Sequence, residues 1–177
     1  MATRDYYRDF GAERDRALTA SIALVKGHET TWSTREAAFE YMRHKFPWKS
    51  WDPRVLYIHV NHGLYESSTG EICSNNHPEL CSYREIPPHL DAADQYRRIV
   101  GLLPIHFILG GRNSFASPEA QQSILDTKHN IQPSSVQRVT KARHQVLQEN
   151  PDGLADAICS VLENLDSRVG LNQRPRL

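Results

Sequence analysis

The sequence predicts an α/β fold built from two unlike parts, with the change near residue 86. Helical periodicity and a polar segment precede that point, and strand, helix, strand and helix follow it. The apolar strands are too few to complete a sheet of their own. We therefore expect a helical layer with a polar hairpin at 1–86, an α/β core segment at 87–166 and a flexible tail at 167–177.

Two helices are predicted at the start of the chain. Residues 8–26 repeat apolar side chains at helical spacing. Ser33 and Glu36 have the spacing of a capping box, which predicts the start of a second helix. Pro47 is expected to end that helix, because proline clashes with the preceding turn.

A third helix and a polar hairpin complete the first part. Asp52 followed by Pro53 is typical of an N-cap and the first helical position. Gly63 is a favourable residue for ending that helix. Residues 64–84 are rich in serine, asparagine and glycine, which predicts a loop or a short hairpin.

The second part alternates helices and strands. Pro87 and Pro88 open a helix that extends to about Val100. Apolar runs predict strands at Leu103 to Leu109 and, more weakly, at Val136 to Thr140. Proline-initiated helices are predicted from Ser117 to about Thr127, and again from Asn150.

Strand, helix, strand implies two neighbouring parallel strands. Such a pair has two open edges, and its continuous apolar sequence requires burial on both faces. We therefore expect the chain to be a piece of a larger sheet, with possible association through its exposed sheet edges.

Composition and charge exclude several classes of protein. The 177 residues contain 21 Lys and Arg and 21 Asp and Glu, so the basic excess of a nucleic-acid-binding protein is missing. The longest apolar block, Leu102 to Leu109, is interrupted by Pro104 and His106, so no membrane span is predicted. The first sixteen residues have no apolar core of a secretory signal. Three cysteines without an N-glycosylation site predict a reducing, cytoplasmic compartment.

Cysteines and histidines are regularly spaced in the polar segment. Cys73, His77 and Cys81 follow His59 and His62, and these residue types bind zinc. The spacing matches no common zinc site, so we predict a solvated loop, no metal and no cofactor. A disulfide between Cys73 and Cys81 would fit a hairpin but not a reducing compartment.

Two stretches resemble a known family. PIHFILGGRNSF at 104–115 resembles the strand and turn that carry the triad acid of α/β-hydrolases. VTKARHQVLQENPD at 139–152 resembles the loop that carries their triad histidine, followed by a Glu-x-Pro helix start. Residues 32–53 and 62–64 resemble the helical cap of a fungal subgroup, called toxin-biosynthesis or peroxisomal hydrolase-like. The resemblance covers roughly residues 25–166.

The resemblance implies an incomplete α/β-hydrolase fold and assigns its site residues. It consists of a helical cap, the last two parallel strands and their covering helices. His144 stands at the position of the triad histidine, which acts as the general base. Asn113 stands at the degenerate position of the triad acid, where it can orient an imidazole but carries no charge. Carboxylates that could replace it are Asp91, Asp94 and Asp126.

The nucleophile is missing from these residues. No serine stands in a Gly-x-Ser-x-Gly motif, and no HGGG-like oxyanion motif occurs. The resemblance therefore implies a truncated serine hydrolase, esterase-like or lipase-like, that is inactive alone and would act on a lipophilic ester or secondary metabolite. The alternative from another class is a non-catalytic binding or interaction module.

Two further features leave alternatives open. Aromatic residues of the first part could line an apolar acyl pocket or could only pack helices together: Trp32, Phe46, Trp48 and Trp51. The C-terminal tripeptide from Pro175 to Leu177 is a degenerate form of the Ser-Lys-Leu peroxisomal address, which makes a peroxisomal location the alternative to the cytoplasm.

Overall fold

The computed structural model describes residues 4–74, 90–112, 118–125 and 132–172. Its helices are α1 (Arg4–Lys26), α2 (Arg35–Met42), α3 (Pro53–Ile58), α4 (Leu90–Ile99), α5 (Pro118–Ile124), α6 (Val146–Glu149) and α7 (Pro151–Asn172). Its strands are β1 (Thr31–Trp32), β2 (Tyr65–Glu66), β3 (Ile72–Cys73), β4 (His106–Gly110) and β5 (Ser135–Val139). A 3₁₀ turn at Trp48–Ser50 precedes α3, and a π-helical turn at His59–Gly63 extends it.

The first part has a core of its own between α2, α3 and a small sheet. The residues buried there are Trp32, Ala38, Met42, Trp48, Leu56, Val60, Leu64 and Ile72. Phe39, Tyr41 and Trp51 pack against them. The guanidinium of Arg35 donates to the carbonyl oxygens of Val60 and Leu64, which joins the start of α2 to the π-helical turn after α3. This arrangement makes the helical layer a packed unit.

The small sheet is antiparallel, in the order β1-β3-β2. Trp32 pairs with Ile72, and Tyr65 pairs with Cys73. The hairpin of β2 and β3 confirms the prediction for the described start of 64–84. The sequence did not predict β1, because two residues form a strand only when a partner strand is beside them.

The capping prediction for α2 was wrong by one residue. The N-cap is Thr34, whose Oγ1 accepts a hydrogen bond of 3.1 Å from the backbone N–H of Ala37. Ser33 precedes the cap, because β1 uses the chain as far as Trp32 and the turn then occupies Ser33. The helix ends at Met42, well before the predicted stop at Pro47.

The second part contains a two-stranded parallel sheet, β4-β5. The register pairs His106 with Ser135 and Gly110 with Val139. This confirms the parallel pair predicted from the strand-helix-strand pattern. The strands are only half-buried for most of their length, and Leu102 and Leu103, just before β4, are 80% and 57% exposed. The expected burial on both faces is therefore incomplete within this chain.

The last helix is longer than predicted. Asn150 and Pro151 begin α7 as expected, but the helix continues to Asn172, into the segment predicted as a flexible tail. Leu171 has a high helix propensity, and the next proline after this segment is Pro175. Residues 173–177 lie outside the described part of the chain. No helix among the described residues is long and apolar enough to cross a membrane.

Candidate functional site

The carboxyl ends of β4 and β5 meet through backbone hydrogen bonds that continue beyond the strands. The N–H of Gly111 donates to the carbonyl of Val139 at 2.8 Å. The N–H of Arg112 donates to the carbonyl of Ala142 at 2.9 Å. The turn after β4 and the loop after β5 are therefore held side by side at one end of the sheet, where ligands bind in α/β proteins.

Gly110 allows this close approach. A Cβ atom at Gly110 would overlap the backbone carbonyl oxygen of Arg143 and would lie 2.9 Å from that of Ala142. Only glycine fits at this strand end, since neither contact is with the tip of a flexible side chain. The backbone of β4 thus packs directly on the residue that precedes His144.

His144 lies in the loop between β5 and α6, and its side chain is exposed. Ala142, two residues before it, is fully buried and anchors the loop. Lys141 adopts a left-handed backbone conformation with φ of 64° at the turn that leads into this loop. His144 is therefore presented to solvent from a loop with a buried base.

The predicted position of the triad acid is not among the described residues. Asn113, the predicted acid position, follows Arg112 directly but lies outside the described residues, as does Asp126. Asp91 and Asp94 lie in the first half of α4. The backbone hydrogen bond from Arg112 to Ala142 joins the residue before Asn113 to a residue two positions before His144.

Glu149 is a site residue to which the sequence analysis gave no role. Its Oε2 accepts a 2.6 Å hydrogen bond from the N–H of Arg143, and its Oε1 accepts one of 3.3 Å from Ser50 Oγ. The Glu-x-Pro helix start was the available signal. It did not reveal that the carboxylate turns back onto the residue before His144.

The first part contacts the histidine loop and the two helices that follow it through four residues between Ser50 and Arg54. Besides the contact of Ser50, Trp51 Nε1 donates to Gln145 Oε1 at 2.7 Å. The N–H of Asp52 donates to the carbonyl of Gln148 at 2.7 Å. Asp152 accepts a 2.8 Å bond from the Arg54 side chain. We call residues 50–54 the docking segment.

Charge is concentrated at the end of the docking segment. Asp52 caps α3 by accepting from the N–H of Arg54, and it also pairs with the Arg54 guanidinium. These hydrogen bonds lower the pKa of Asp52 to about 2. Arg54 also bonds Asp152, so one cation connects carboxylates of both parts at the protein surface.

The aromatic residues of the first part mainly build its core. Trp32 and Trp48 are each 6% exposed and belong to the buried cluster. Trp51 is half-buried and contacts the edge of the His59 ring at 5.3 Å between centroids. This placement supports packing rather than an acyl pocket for Trp32 and Trp48.

Two histidines of the first part occupy environments that disfavour the imidazolium. Burial lowers the pKa of His59, whose Nε2 is buried without a hydrogen-bond partner. Burial and the nearby Lys45 ammonium lower the pKa of His28, whose ring packs edge-on against Trp48 at 4.7 Å. Both side chains therefore favour the neutral form.

The predicted cysteine and histidine cluster is only partly described. Cys73 lies in β3, while His77 and Cys81 are outside the described residues. Among the residues the structure does describe, no group of three or more histidine, cysteine or acidic side chains is arranged to hold a metal ion.

Solved structures share this architecture. An E-2-(acetamidomethylene)succinate hydrolase superposes with a TM-score of 0.66 at 18% identity, covering 84% of this chain and 53% of that one. An esterase from M. tuberculosis gives 0.58 at 18% identity, covering 88% and 49%. A peroxisomal α/β-hydrolase from Saccharomyces cerevisiae gives 0.64 at 13% identity, covering 83% and 39%. No protein-family model and no curated protein sequence matches the chain.

The chain has the fold of part of an α/β-hydrolase, which confirms the fold class implied by the sequence resemblance. It spans about half the length of the first two of these structures, and less of the third. At these identities the similarity concerns the fold, and the roles of individual residues rest on the site itself.

Proposed function

We propose that this chain is the histidine-bearing half of a serine hydrolase that transfers an acyl group to water. His144 is the general base that takes the proton of a serine hydroxyl, and a serine from another segment is the nucleophile. The observation that carries the proposal is the backbone pairing of the turn after β4 with the loop after β5. That pairing supports a shared position for an orienting group and a base.

The residues at the acid position define the chemistry expected of the complete site. Asn113 can accept or donate a hydrogen bond and so can orient the imidazole, but it cannot compensate the charge of the imidazolium that forms during acyl transfer. The same exchange of Asp for Asn lowers turnover about 10⁴-fold in a serine protease. We therefore propose a weak hydrolase, or one in which another carboxylate replaces the acid.

The substrate class follows from the family resemblance and stays a proposal. An esterase-like or lipase-like enzyme with a helical cap fits a lipophilic ester or a related secondary metabolite. Two of the similar structures are named as an E-2-(acetamidomethylene)succinate hydrolase and an esterase. Both names are compatible with hydrolysis at a carbonyl carbon.

Ester turnover and active-site labelling test the proposal together. The chain alone should hydrolyse short and long p-nitrophenyl esters no faster than His144→Ala, and a fluorophosphonate probe should label no serine, because the nucleophile motif is missing from its sequence. Specific labelling of one serine, or turnover abolished by His144→Ala, would contradict the assignment of the nucleophile to another segment.

A non-catalytic interaction module is the second candidate, and the apolar surface before β4 favours it. Leu102 and Leu103 are largely exposed there, and exposed apolar patches mark association sites. If copies of the chain associate through this surface, the double variant Leu102→Asp and Leu103→Asp should have the molar mass of a single copy in light scattering. Leu24→Asp, an exposed leucine on α1, is the control. An unchanged mass in the double variant would remove this candidate.

We propose a cytoplasmic location, with the peroxisome as the alternative. The tripeptide from Pro175 to Leu177 and the peroxisomal hydrolase among the similar structures support the alternative. A fluorescent protein fused before residue 1 should remain diffuse in the cytosol. Punctate fluorescence that disappears on deletion of the tripeptide would establish the peroxisome instead.

A further inference from the structure

The neighbours of His144 in the chain are fixed by two different hydrogen bonds. On its N-terminal side, the N–H of Arg143 donates to Glu149. On its C-terminal side, the amide oxygen of Gln145 accepts from Trp51 Nε1 at 2.7 Å. The first bond is local to the loop, whereas the second comes from the helical layer. The residue before His144 is therefore held by a local hydrogen bond, and the residue after it by a long-range hydrogen bond.

Trp51 is itself held firmly by the helical layer. The backbone N–H of Trp51 donates to the carbonyl of Trp48 at 2.9 Å. The Trp51 ring contacts His59 and packs against the buried core cluster. The next residue, Asp52, bonds the backbone of Gln148. A rotation of the layer would thus move Trp51 and, through Gln145, the loop that presents His144.

We propose that Trp51 is a positioning residue, which holds the His144 loop in place through its hydrogen bond to Gln145. The inference rests on the proposed role of His144, and it adds a coupling between the helical layer and the general base. The indole N–H is the group that matters, because phenylalanine can retain the ring contact with His59 but has no donor for Gln145.

Hydrogen exchange and imidazole NMR of the full 177-residue chain test this directly. In Trp51→Phe, the amides of Arg143 to Gln145 should exchange about fivefold faster, as expected for loss of one hydrogen bond of ordinary strength. The imidazole signal of His144, identified by its disappearance in His144→Gln, should shift or broaden. Neither measurement needs catalysis, so a failure of the hydrolase proposal leaves this test intact.

The matched control is Trp48→Phe, the same exchange three residues earlier in the helical layer. Trp48 belongs to the buried cluster, whereas the hydrogen bond to Gln145 comes from Trp51. Trp48→Phe should destabilise the layer without altering the His144 signal. Gln145→Leu should reproduce the effect of Trp51→Phe without changing the layer, and Gln145→Glu should retain the slow exchange because it keeps an acceptor.

Three results would overturn the proposal. One is an unchanged loop exchange rate and His144 signal in Trp51→Phe and Gln145→Leu. Another is an equal effect of Trp48→Phe, which would indicate general loosening of the layer. The third is additivity of Trp51→Phe and Gln145→Leu in the double variant, since two partners of one bond must be coupled. If Trp51→Phe does not fold, Gln145→Leu and Gln145→Glu decide the question alone.

Discussion

Gly110 lies where the sheet packs directly against the histidine loop. The carbonyl of Arg143 occupies the volume that any side chain at this position would need. The backbone on both sides is fixed, by strand pairing at Gly110 and by Glu149 at Arg143. A methyl group at Gly110 therefore has to displace the loop that carries His144.

We predict that Gly110→Ala lowers the free energy of unfolding by about 3 kcal/mol, the upper range for overpacking. Gly101→Ala is the control, because a Cβ there meets no atom within 4 Å. Urea unfolding followed by far-UV circular dichroism measures both. Equal stability of the two variants would show that the loop does not press on this strand end.

The sequence predicts part of this residue-scale picture. Gly110 and Gly111 indicate a strand end, whereas the role of His144 comes from the family resemblance and stays a prediction. The sequence does not say which glycine excludes a side chain, because the reason is Arg143, far along the chain. Glu149 was missed as a contact for the same reason, since its carboxylate folds back on a backbone N–H that no local pattern identifies.

At the scale of elements, Asn150 connects the last strand to the last helix. Its Oδ1 accepts from the N–H of Gly153 at 3.0 Å and so caps α7. Its Nδ2 donates to the carbonyl of Thr140 at 2.9 Å, just beyond β5. One amide side chain therefore fixes both the start of the helix and its position against the sheet.

We predict that Asn150→Ala destabilises the chain by about 1–2 kcal/mol, because a helix cap and a cross-element hydrogen bond disappear together. Asn164→Ala is the control: its amide bonds the Ser160 carbonyl within α7, and its side chain is exposed. Thermal unfolding compares the two. A smaller loss in Asn150→Ala than in Asn164→Ala would contradict the capping role.

Helix starts were predictable from the sequence where proline accompanies the cap, as at Asp52 and Asn150. The start of α2 was misplaced because two adjacent hydroxyl residues, Ser33 and Thr34, can both cap a helix. The choice is made by β1, a two-residue strand whose existence depends on β3. No local sequence pattern indicates that pairing. The missed strand β1 and the misplaced start of α2 therefore have the same cause.

At the scale of the whole molecule, two histidines whose pKa values are lowered link stability to pH. Burial lowers the pKa of His59, and burial with Lys45 lowers that of His28, below the ordinary value of 6.5. The unfolded chain therefore binds more protons than the folded chain between those lowered values and 6.5. The free energy of unfolding must fall as the pH drops through this range.

We predict a loss of stability on acidification from pH 7.5 to 5.5, and a shallower loss in the double variant His28→Gln and His59→Gln. The control is Leu24→Gln, which changes an exposed side chain without a titratable group and should retain the slope of the parent chain. Urea unfolding at a series of pH values gives the slopes. An identical slope in the double variant would contradict the assignment to these two histidines.

The sequence predicted the secondary structure of the two parts, but not the contacts between them. Periodicity and strand order give the helical layer and the parallel pair. The docking segment depends on side-chain and backbone contacts between residues 50–54 and residues 145–152, and no sequence pattern relates the two stretches. The strands are half-buried for most of their length, and Leu102 and Leu103 before β4 are exposed; that neighbouring structure completes this sheet stays a prediction.

The solution mass of the full chain, measured by size-exclusion chromatography with light scattering at micromolar concentration, tests the central claim most directly. If these residues form only part of a hydrolase sheet, the mass should exceed that of one copy, and a dye that binds exposed apolar surface should fluoresce. A single monomeric species with cooperative unfolding and no dye binding would contradict the account.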